Sequence, residues 1–248
     1  MSAQPRRFRR LFFIGVPMAV VGALLWPAST RQGVNFQVST HSIPSYVKII
    51  DFFHRHYQYR FVARDITRDL TSDRARVLAV FDWTRRHIRA VPQGWPIVDD
   101  HILNIMIRGY GAEDQMADVF TTLSTYAGVP AFWQQMRTER GDGWQVLAFA
   151  RVDGRWAMFD VANNVVLRDQ QGRLADLAAL YADPALMATV AAMPAPDGVP
   201  YSRYLERLRP LPVPHPLRAE QQMPVARCLF ELRKILHLPT RHTLVGTP

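Results

Sequence analysis

The sequence predicts an α+β fold in which helices pack on a small antiparallel sheet. Two observations indicate this class. Amphipathic helical segments fill the first half of the domain, and three short strand-like runs follow them, the last two joined by the tight turn Asp153-Gly154. Helices first and consecutive strands afterwards are typical of α+β proteins. The composition agrees, because 48% hydrophobic and 21% charged residues are ordinary for a folded domain of about 200 residues.

Three helices are predicted ahead of the sheet. The first covers residues 47–59, where apolar side chains recur at helical spacing. The second follows the capping cluster Thr71-Ser72-Asp73 and runs to residue 88. The third covers residues 113–127, with an acidic first turn that complements the helix dipole. Gly128 and Pro130 end this third helix in the expected order.

The strand-like runs are residues 130–136, 144–152 and 155–161. A further helix is predicted over residues 174–192. Residues 194–216 are rich in proline, with the alternating stretch RPLPVPHP, and are expected to be extended. A short helix over residues 225–236 closes the chain. It carries the only cysteine, Cys228, which excludes an intramolecular disulfide; the apolar surroundings predict a buried thiol.

The N-terminal segment predicts that the chain is anchored in a membrane. Residues 11–28 carry no charge, while Arg6, Arg7, Arg9 and Arg10 precede them. The positive-inside rule places the N-terminus in the cytoplasm and the rest of the chain in the periplasm, as a single-pass protein of the inner membrane. Trp26 is a poor residue for a cleavage site, which favours an uncleaved anchor. A cleaved, periplasmic form and a twin-arginine signal are the alternatives.

These features divide the chain into four parts: an anchor or signal segment (1–28), a polar linker (29–45), a globular domain (46–193) and a proline-rich segment with a C-terminal helix (194–248). The formal net charge is +9. Because four arginines precede the hydrophobic segment, the remainder carries only +5. The sequence contains no nucleic-acid motif, so we expect no nucleic-acid partner.

A turn, a helix and a hairpin carry a resemblance to a known family. The turn is Arg108-Gly109-Tyr110-Gly111-Ala112, the helix after it has Ala117 in its second turn, and the hairpin reads Gly154-Arg155-Trp156-Ala157-Met158-Phe159-Asp160. Over residues 70–165 this order resembles the transglutaminase-like superfamily, the papain-like group of transglutaminases and cysteine peptidases. The resemblance implies a Cys-His-Asp triad at the start of the helix and on the two strands.

Two of the three triad positions are substituted. The resemblance places Glu113 where the family has its cysteine, Gln145 where it has its histidine, and Asp160 at the matching aspartate. Acyl transfer through a thioester needs a thiolate and a base, and a carboxylate and an amide supply neither. The resemblance therefore implies a catalytically degenerate domain that acts as a binding or scaffolding module in the cell envelope, for a peptide, a surface polysaccharide or a protein partner.

Two other functions stay open. Two carboxylates, Glu113 and Asp160, could hydrolyse a glycan or an amide if they lie at the right separation. Alternatively, the chain is a structural subunit of an envelope complex that docks through RPLPVPHP and the C-terminal helix.

The candidate ligand-binding residues are Arg108, Tyr110, Trp95 and Trp144, since exposed aromatic faces with arginines suit sugars and peptides. We expect no cofactor and no metal. The polar run Asp99-Asp100-His101 is the only metal candidate, and three adjacent loop residues seldom face one ion.

Overall fold

The computed structural model describes residues 5–34, 37–137, 144–193, 198–205, 211–238 and 243–245. Of residues 5–14 and 243–245 it describes the backbone alone. The chain divides into two compact units, Met1–Arg55 and His56–Pro248. Helices and strands are both present, and the α+β prediction is confirmed.

The first unit contains a helix and a β-hairpin. Helix α1 is Pro5–Leu25, and strands β1 (Pro27–Val34) and β2 (Gln37–Pro44) pair antiparallel. The side chains of the four leading arginines lie outside the described part of the chain. Searched over its described residues, the chain has no helix with both the length and the hydropathy needed to cross a membrane. The described residues of the expected linker, 29–34 and 37–45, have regular structure, because the two strands pair there.

Four helices follow the hairpin and precede the main sheet, and the first of them begins in the first unit and ends in the second. Helix α2 is Ser45–Ile66, α3 is Asp73–His87, α4 is Ile102–Arg108 and α5 is Glu113–Tyr126. All three predicted helices are confirmed, and α4 is an addition. Ser72 caps α3 as predicted, because its hydroxyl accepts the backbone N–H of Ala75 at 3.2 Å. Two short strands, β3 (Arg89–Ala90) and β4 (Tyr110–Gly111), pair parallel beside α4.

The main sheet has four antiparallel strands in the order β5-β6-β7-β8: Ala131–Arg137, Trp144–Val152, Arg155–Asp160 and Val165–Val166. The three predicted strands and the hairpin between β6 and β7 are confirmed. Asp153 and Gly154 have φ angles of 51° and 80°, the left-handed conformation that a tight hairpin turn of this kind requires.

The chain then forms short elements: α6 (Leu177–Ala182), α7 (Pro184–Ala191), α8 (Tyr201–Leu205), β9 (Leu211–Val213), a 3₁₀ helix (Glu220–Gln222), α9 (Pro224–Ile235) and β10 (Thr243–Val245). The single helix predicted over residues 174–192 is wrong. It breaks at Asp183, whose side chain accepts the backbone N–H groups of Ala185 and Leu186 and so starts a new helix. Pro184 fits the first position of that helix because it needs no N–H partner there.

The sheet separates two hydrophobic cores. One face packs against α3, α4 and α5 through buried side chains that include Val80, Phe81, Met116, Phe120 and Phe159. The other face packs against α6, α7, α8 and β9 through Phe149, Met158, Leu180, Tyr204 and Leu211. Successive strand residues point to opposite faces. Gln145, Leu147 and Phe149 on β6, and Met158 and Asp160 on β7, therefore belong to the second face.

Candidate functional site

Asp160 is the centre of a buried hydrogen-bond network. It lies at the end of β7 and is only 2% exposed. Its Oδ2 accepts hydrogen bonds from Gln145 Nε2 at 2.5 Å, from Asn163 Nδ2 at 2.8 Å and from the Tyr201 hydroxyl at 2.5 Å. Its Oδ1 accepts the backbone N–H of Asn163 at 3.0 Å. The structure thus brings together two of the three residues that the family resemblance singled out.

Tyr201 closes this network from the far side. It begins α8, is 2% exposed, and its ring belongs to the second core. Burial raises the pKa of its hydroxyl far above the ordinary value, and the neighbouring Asp160 carboxylate raises it further. The hydroxyl therefore remains a proton donor at any physiological pH. No local pattern in the sequence points to Tyr201, because it is 41 residues beyond Asp160, in a segment without a catalytic motif.

Glu113 occupies the first position of α5 and is partly buried. Its carboxylate also raises the pKa of the Tyr201 hydroxyl, more weakly than Asp160 does. Glu113 therefore lies within electrostatic range of the Asp160 network. Of the three positions that the family resemblance predicts as a triad, Gln145 and Asp160 are in direct contact.

Arg108 holds the turn before α5. Its guanidinium donates to the Tyr110 carbonyl, to the Asp99 carbonyl and to Gln115 Oε1, at 2.7–2.8 Å. The Gln115 side chain also accepts the Ala112 N–H and donates to Asp100 Oδ1 at 2.7 Å. These hydrogen bonds show that Arg108 positions the start of α5, and its role in ligand binding stays a prediction.

Asp99 is also committed to the local structure. Its carboxylate accepts the backbone N–H of His101 at 2.9 Å and a hydrogen bond from the Asn104 side chain. Within the described residues, no group of three or more potential ligand side chains could hold a metal ion. The metal candidate Asp99-Asp100-His101 therefore gains no geometric support.

The aromatic candidates fall into two places. Trp95 is 57% exposed and packs edge-on against Tyr110, with ring centroids 5.3 Å apart. Arg108 lies 5.3 Å from the centre of the Tyr110 ring. Trp144, 48% exposed, begins β6 next to the buried Gln145. Trp95 and Tyr110 form one aromatic pair, in which Trp95 is exposed and Tyr110 is partly buried, and no described contact joins Trp144 to it.

Asp118, on α5, is a second buried carboxylate that sequence analysis did not single out. It accepts a hydrogen bond from Trp133 Nε1 at 2.5 Å and forms an ion pair with Arg218 at 2.8 Å. Burial raises the pKa of Asp118 to about 6, because loss of hydration outweighs the attraction of the half-exposed Arg218. The nearby carboxylates Asp114 and Asp100 add to the rise, and burial also raises the pKa of Asp114.

The chemistry available around Asp160 is limited. Its carboxylate is saturated with hydrogen bonds and covered by Tyr201, so it lacks the access to substrate that a catalytic carboxylate needs. The chain's only thiol, Cys228, is exposed on α9, and the prediction of a buried thiol is wrong. It is exposed because α9 has no buried residue in the structure described.

No protein-family model matches the chain, and no curated protein matches it. Several solved structures are similar to part of it. A candidate cysteine protease from Cytophaga hutchinsonii is 17% identical over 49% of this chain and 43% of its own, with a TM-score of 0.38. A candidate protease from Parabacteroides distasonis is 13% identical over 54% and 35%, with a TM-score of 0.36.

A structure described as a TGase is 11% identical over 63% of this chain and 50% of its own, with a TM-score of 0.35. The chain spans half or less of the length of each of these three structures.

Proposed function

We propose that residues 46–193 form a transglutaminase-like domain that has lost thiol chemistry and acts as a non-catalytic binding module in the cell envelope. The observation that carries this proposal is the Gln145–Asp160 hydrogen bond at 2.5 Å. In a thiol enzyme of this family a histidine would take the place of Gln145, and its ring would be held by the aspartate. Here an amide makes the same contact and cannot accept a proton from a nucleophile.

The hydrogen bonds that surround Asp160 support a non-catalytic role. Every described partner of Asp160 donates to it, so the carboxylate is held as a buried acceptor. Such an arrangement stabilises the end of β7 and its turn. It also disfavours the alternative in which Glu113 and Asp160 hydrolyse a glycan or an amide, because a catalytic carboxylate must reach its substrate.

We also propose a location for the domain in the cell envelope. Residues 11–28 attach the domain to the inner membrane, with the N-terminus in the cytoplasm and the domain in the periplasm. The four arginines ahead of an uncharged segment support this orientation.

The test introduces a cysteine at position 113 and a histidine at position 145, the pair that thiol chemistry needs. In a Cys228→Ser background, Glu113→Cys alone should give a thiol that iodoacetamide alkylates only as fast as an ordinary cysteine at pH 6.5. Glu113→Cys combined with Gln145→His should react at least tenfold faster, because an imidazole held by Asp160 stabilises the thiolate. Equal rates in the two variants would contradict the assignment of these positions.

A second test measures whether the protein without these two substitutions has enzymatic activity. Purified Cys228→Ser protein should neither hydrolyse nor transamidate peptide and thioester substrates. Glycan or amide hydrolysis that is lost in Glu113→Gln would overturn the non-catalytic role and establish the carboxylate alternative.

A further inference from the structure

A groove of about 600 Å³ lies beside the turn of the β6–β7 hairpin. We call it the hairpin groove. Arg151 of β6 and Trp156 of β7 lie on one wall, Leu177 begins α6 on another, and Leu211 and Val213 of β9 complete it. Asp160 is at the other end of β7, about 17 Å along the strand from Arg155. The groove is therefore a separate site from the Asp160 network, and its volume is typical of small-ligand sites.

The walls of the hairpin groove favour an apolar chain. Trp156 is held edge-on by Phe132, with ring centroids 5.0 Å apart, and lies directly opposite Arg151 in the strand register. Among the described residues that line the groove, none carries a hydroxyl or a carboxamide. A sugar or a peptide backbone buried here would lose hydrogen bonds to water and find few side-chain partners. An aliphatic chain has no such cost.

The acidic side chains of the groove are already engaged. Asp176 Oδ1 accepts the backbone N–H of Ala179 at 2.6 Å, and its Oδ2 lies 3.9 Å from Arg155 Nε. Glu220 Oε2 accepts the backbone N–H of Leu217 at 2.8 Å. Both carboxylates therefore stabilise the residues that line the groove.

The basic side chains that line the groove differ from one another, because Arg155 is paired with Asp176 and Arg151 is not. Within the described residues Arg151, which lines the groove, forms no ion pair, and it is exposed. The exposed His215 supplies a ring N–H from the neighbouring wall. An anionic group beside Arg151 would gain a charge-assisted hydrogen bond from its guanidinium without displacing an internal ion-pair partner.

We propose that the hairpin groove binds a single-chain carboxylate amphiphile, such as a fatty acid, with its acyl chain over Trp156 and its carboxylate at Arg151. This site goes beyond the proposed function, because it shares no residue with the Asp160 network. Its failure would leave the loss of thiol chemistry unaffected, and the reverse also holds.

The experiment measures binding of dodecanoate to the full chain by calorimetry, below the concentration at which the ligand forms micelles. Dodecanol and dodecyltrimethylammonium serve as probes with the same chain and a different head group. Dodecanoate should bind at least tenfold more tightly than either, since a hydrogen bond to a charged group discriminates by about that factor. Arg151→Gln should remove this preference and leave dodecanol binding unchanged.

Two further variants separate the groove from other surfaces. Ala178→Trp fills the groove from an exposed position, so it should abolish binding of all three probes without unfolding the protein. Arg233→Gln makes the same charge change as Arg151→Gln at an exposed position on α9 and should bind dodecanoate normally.

Several results would overturn the proposal. These are absent dodecanoate binding, equal binding of the three probes, or normal binding by a folded Ala178→Trp variant. Binding of N-acetyl-trileucine with a free carboxylate, without binding of dodecanoate, would contradict the acyl-chain assignment.

Discussion

Tyr201 shows how a single side chain stabilises the Asp160 network. Its hydroxyl is one of three donors to Asp160 Oδ2, and both residues are 2% exposed. Burying a carboxylate costs free energy unless its oxygens are hydrogen-bonded, so each donor to Asp160 stabilises the folded state. The amide of Gln145 has the same role from β6, which explains why an amide is stable at a position where the family resemblance implies a base.

Removing this hydroxyl should destabilise the fold. We expect Tyr201→Phe to lower the free energy of unfolding by about 1.5–3 kcal/mol, the usual value of a hydrogen bond to a charged group. Urea unfolding measures the change. Tyr57→Phe is the matched control, because Tyr57 is 59% exposed and should change stability by less than about 0.5 kcal/mol. Equal stabilities of Tyr201→Phe and the parent would show that the contact contributes nothing.

The ion pair between Asp118 and Arg218 connects two elements that are distant in the chain. Asp118 lies in α5, while Arg218 precedes the 3₁₀ helix of the C-terminal segment. The Tyr126 hydroxyl adds a second connection, because it donates to the Gln222 carbonyl at 2.9 Å. Together these contacts attach the 3₁₀ helix to α5.

Asp118 makes stability depend on pH. The pKa of its carboxyl is about 6 in the folded chain and 3.8 as its ordinary value, so the folded state holds more protons between these values. Its contribution to stability is fully present below pH 4 and is lost as pH rises through 6. We expect Asp118→Asn to remove about 2–3 kcal/mol of this variation, since one pKa unit corresponds to about 1.4 kcal/mol.

The measurement is urea unfolding of both proteins from pH 4 to pH 7. The amide oxygen introduced by Asp118→Asn can still accept the Trp133 N–H, so the variant isolates the charge. Asp65→Asn, at an exposed position, is the control and should follow the parent chain at every pH. Parallel curves for Asp118→Asn and the parent would contradict the prediction.

Helix α9 carries apolar side chains that nothing in its own unit covers in the structure described. Val225, Leu229 and Leu232 lie along one side at helical spacing and are 74%, 56% and 49% exposed. This exposure agrees with the hypothesis that the C-terminal helix docks on an envelope partner, which stays a prediction.

For the molecule as a whole, labelling of the single cysteine can show on which side of the membrane the domain lies. Cys228 is exposed, and the chain has no other thiol. If the domain lies in the periplasm, a membrane-impermeant maleimide should label Cys228 in intact spheroplasts of a Gram-negative host. Cys228→Ser combined with Ser2→Cys moves the thiol to the predicted cytoplasmic end and should be labelled only after lysis. Labelling of both proteins only after lysis would contradict the predicted address.

The sequence by itself determined the local structure around the candidate site. Helices α3 and α5, strands β5 to β7 and the Asp153-Gly154 turn follow from apolar periodicity, capping residues and turn residues. These signals act between neighbours in the chain, and so they can be read without the fold. The break at Asp183-Pro184 was readable in the same way, since an aspartate before a proline begins a helix, but the apolar run around it obscured that signal. The sequence also gives the identities of Glu113, Gln145 and Asp160, which already exclude thiol catalysis at these positions.

Only the tertiary structure decided which of these side chains meet and what encloses them. The Tyr201–Asp160 contact joins residues 41 positions apart, and the pairing of Asp118 with Arg218 joins residues still more distant. Cys228 lies in an apolar helix whose sequence predicts burial, yet no surface of its unit covers it in the structure described. Burial and long-range pairing depend on how elements pack, and packing is a property of the whole chain rather than of any segment.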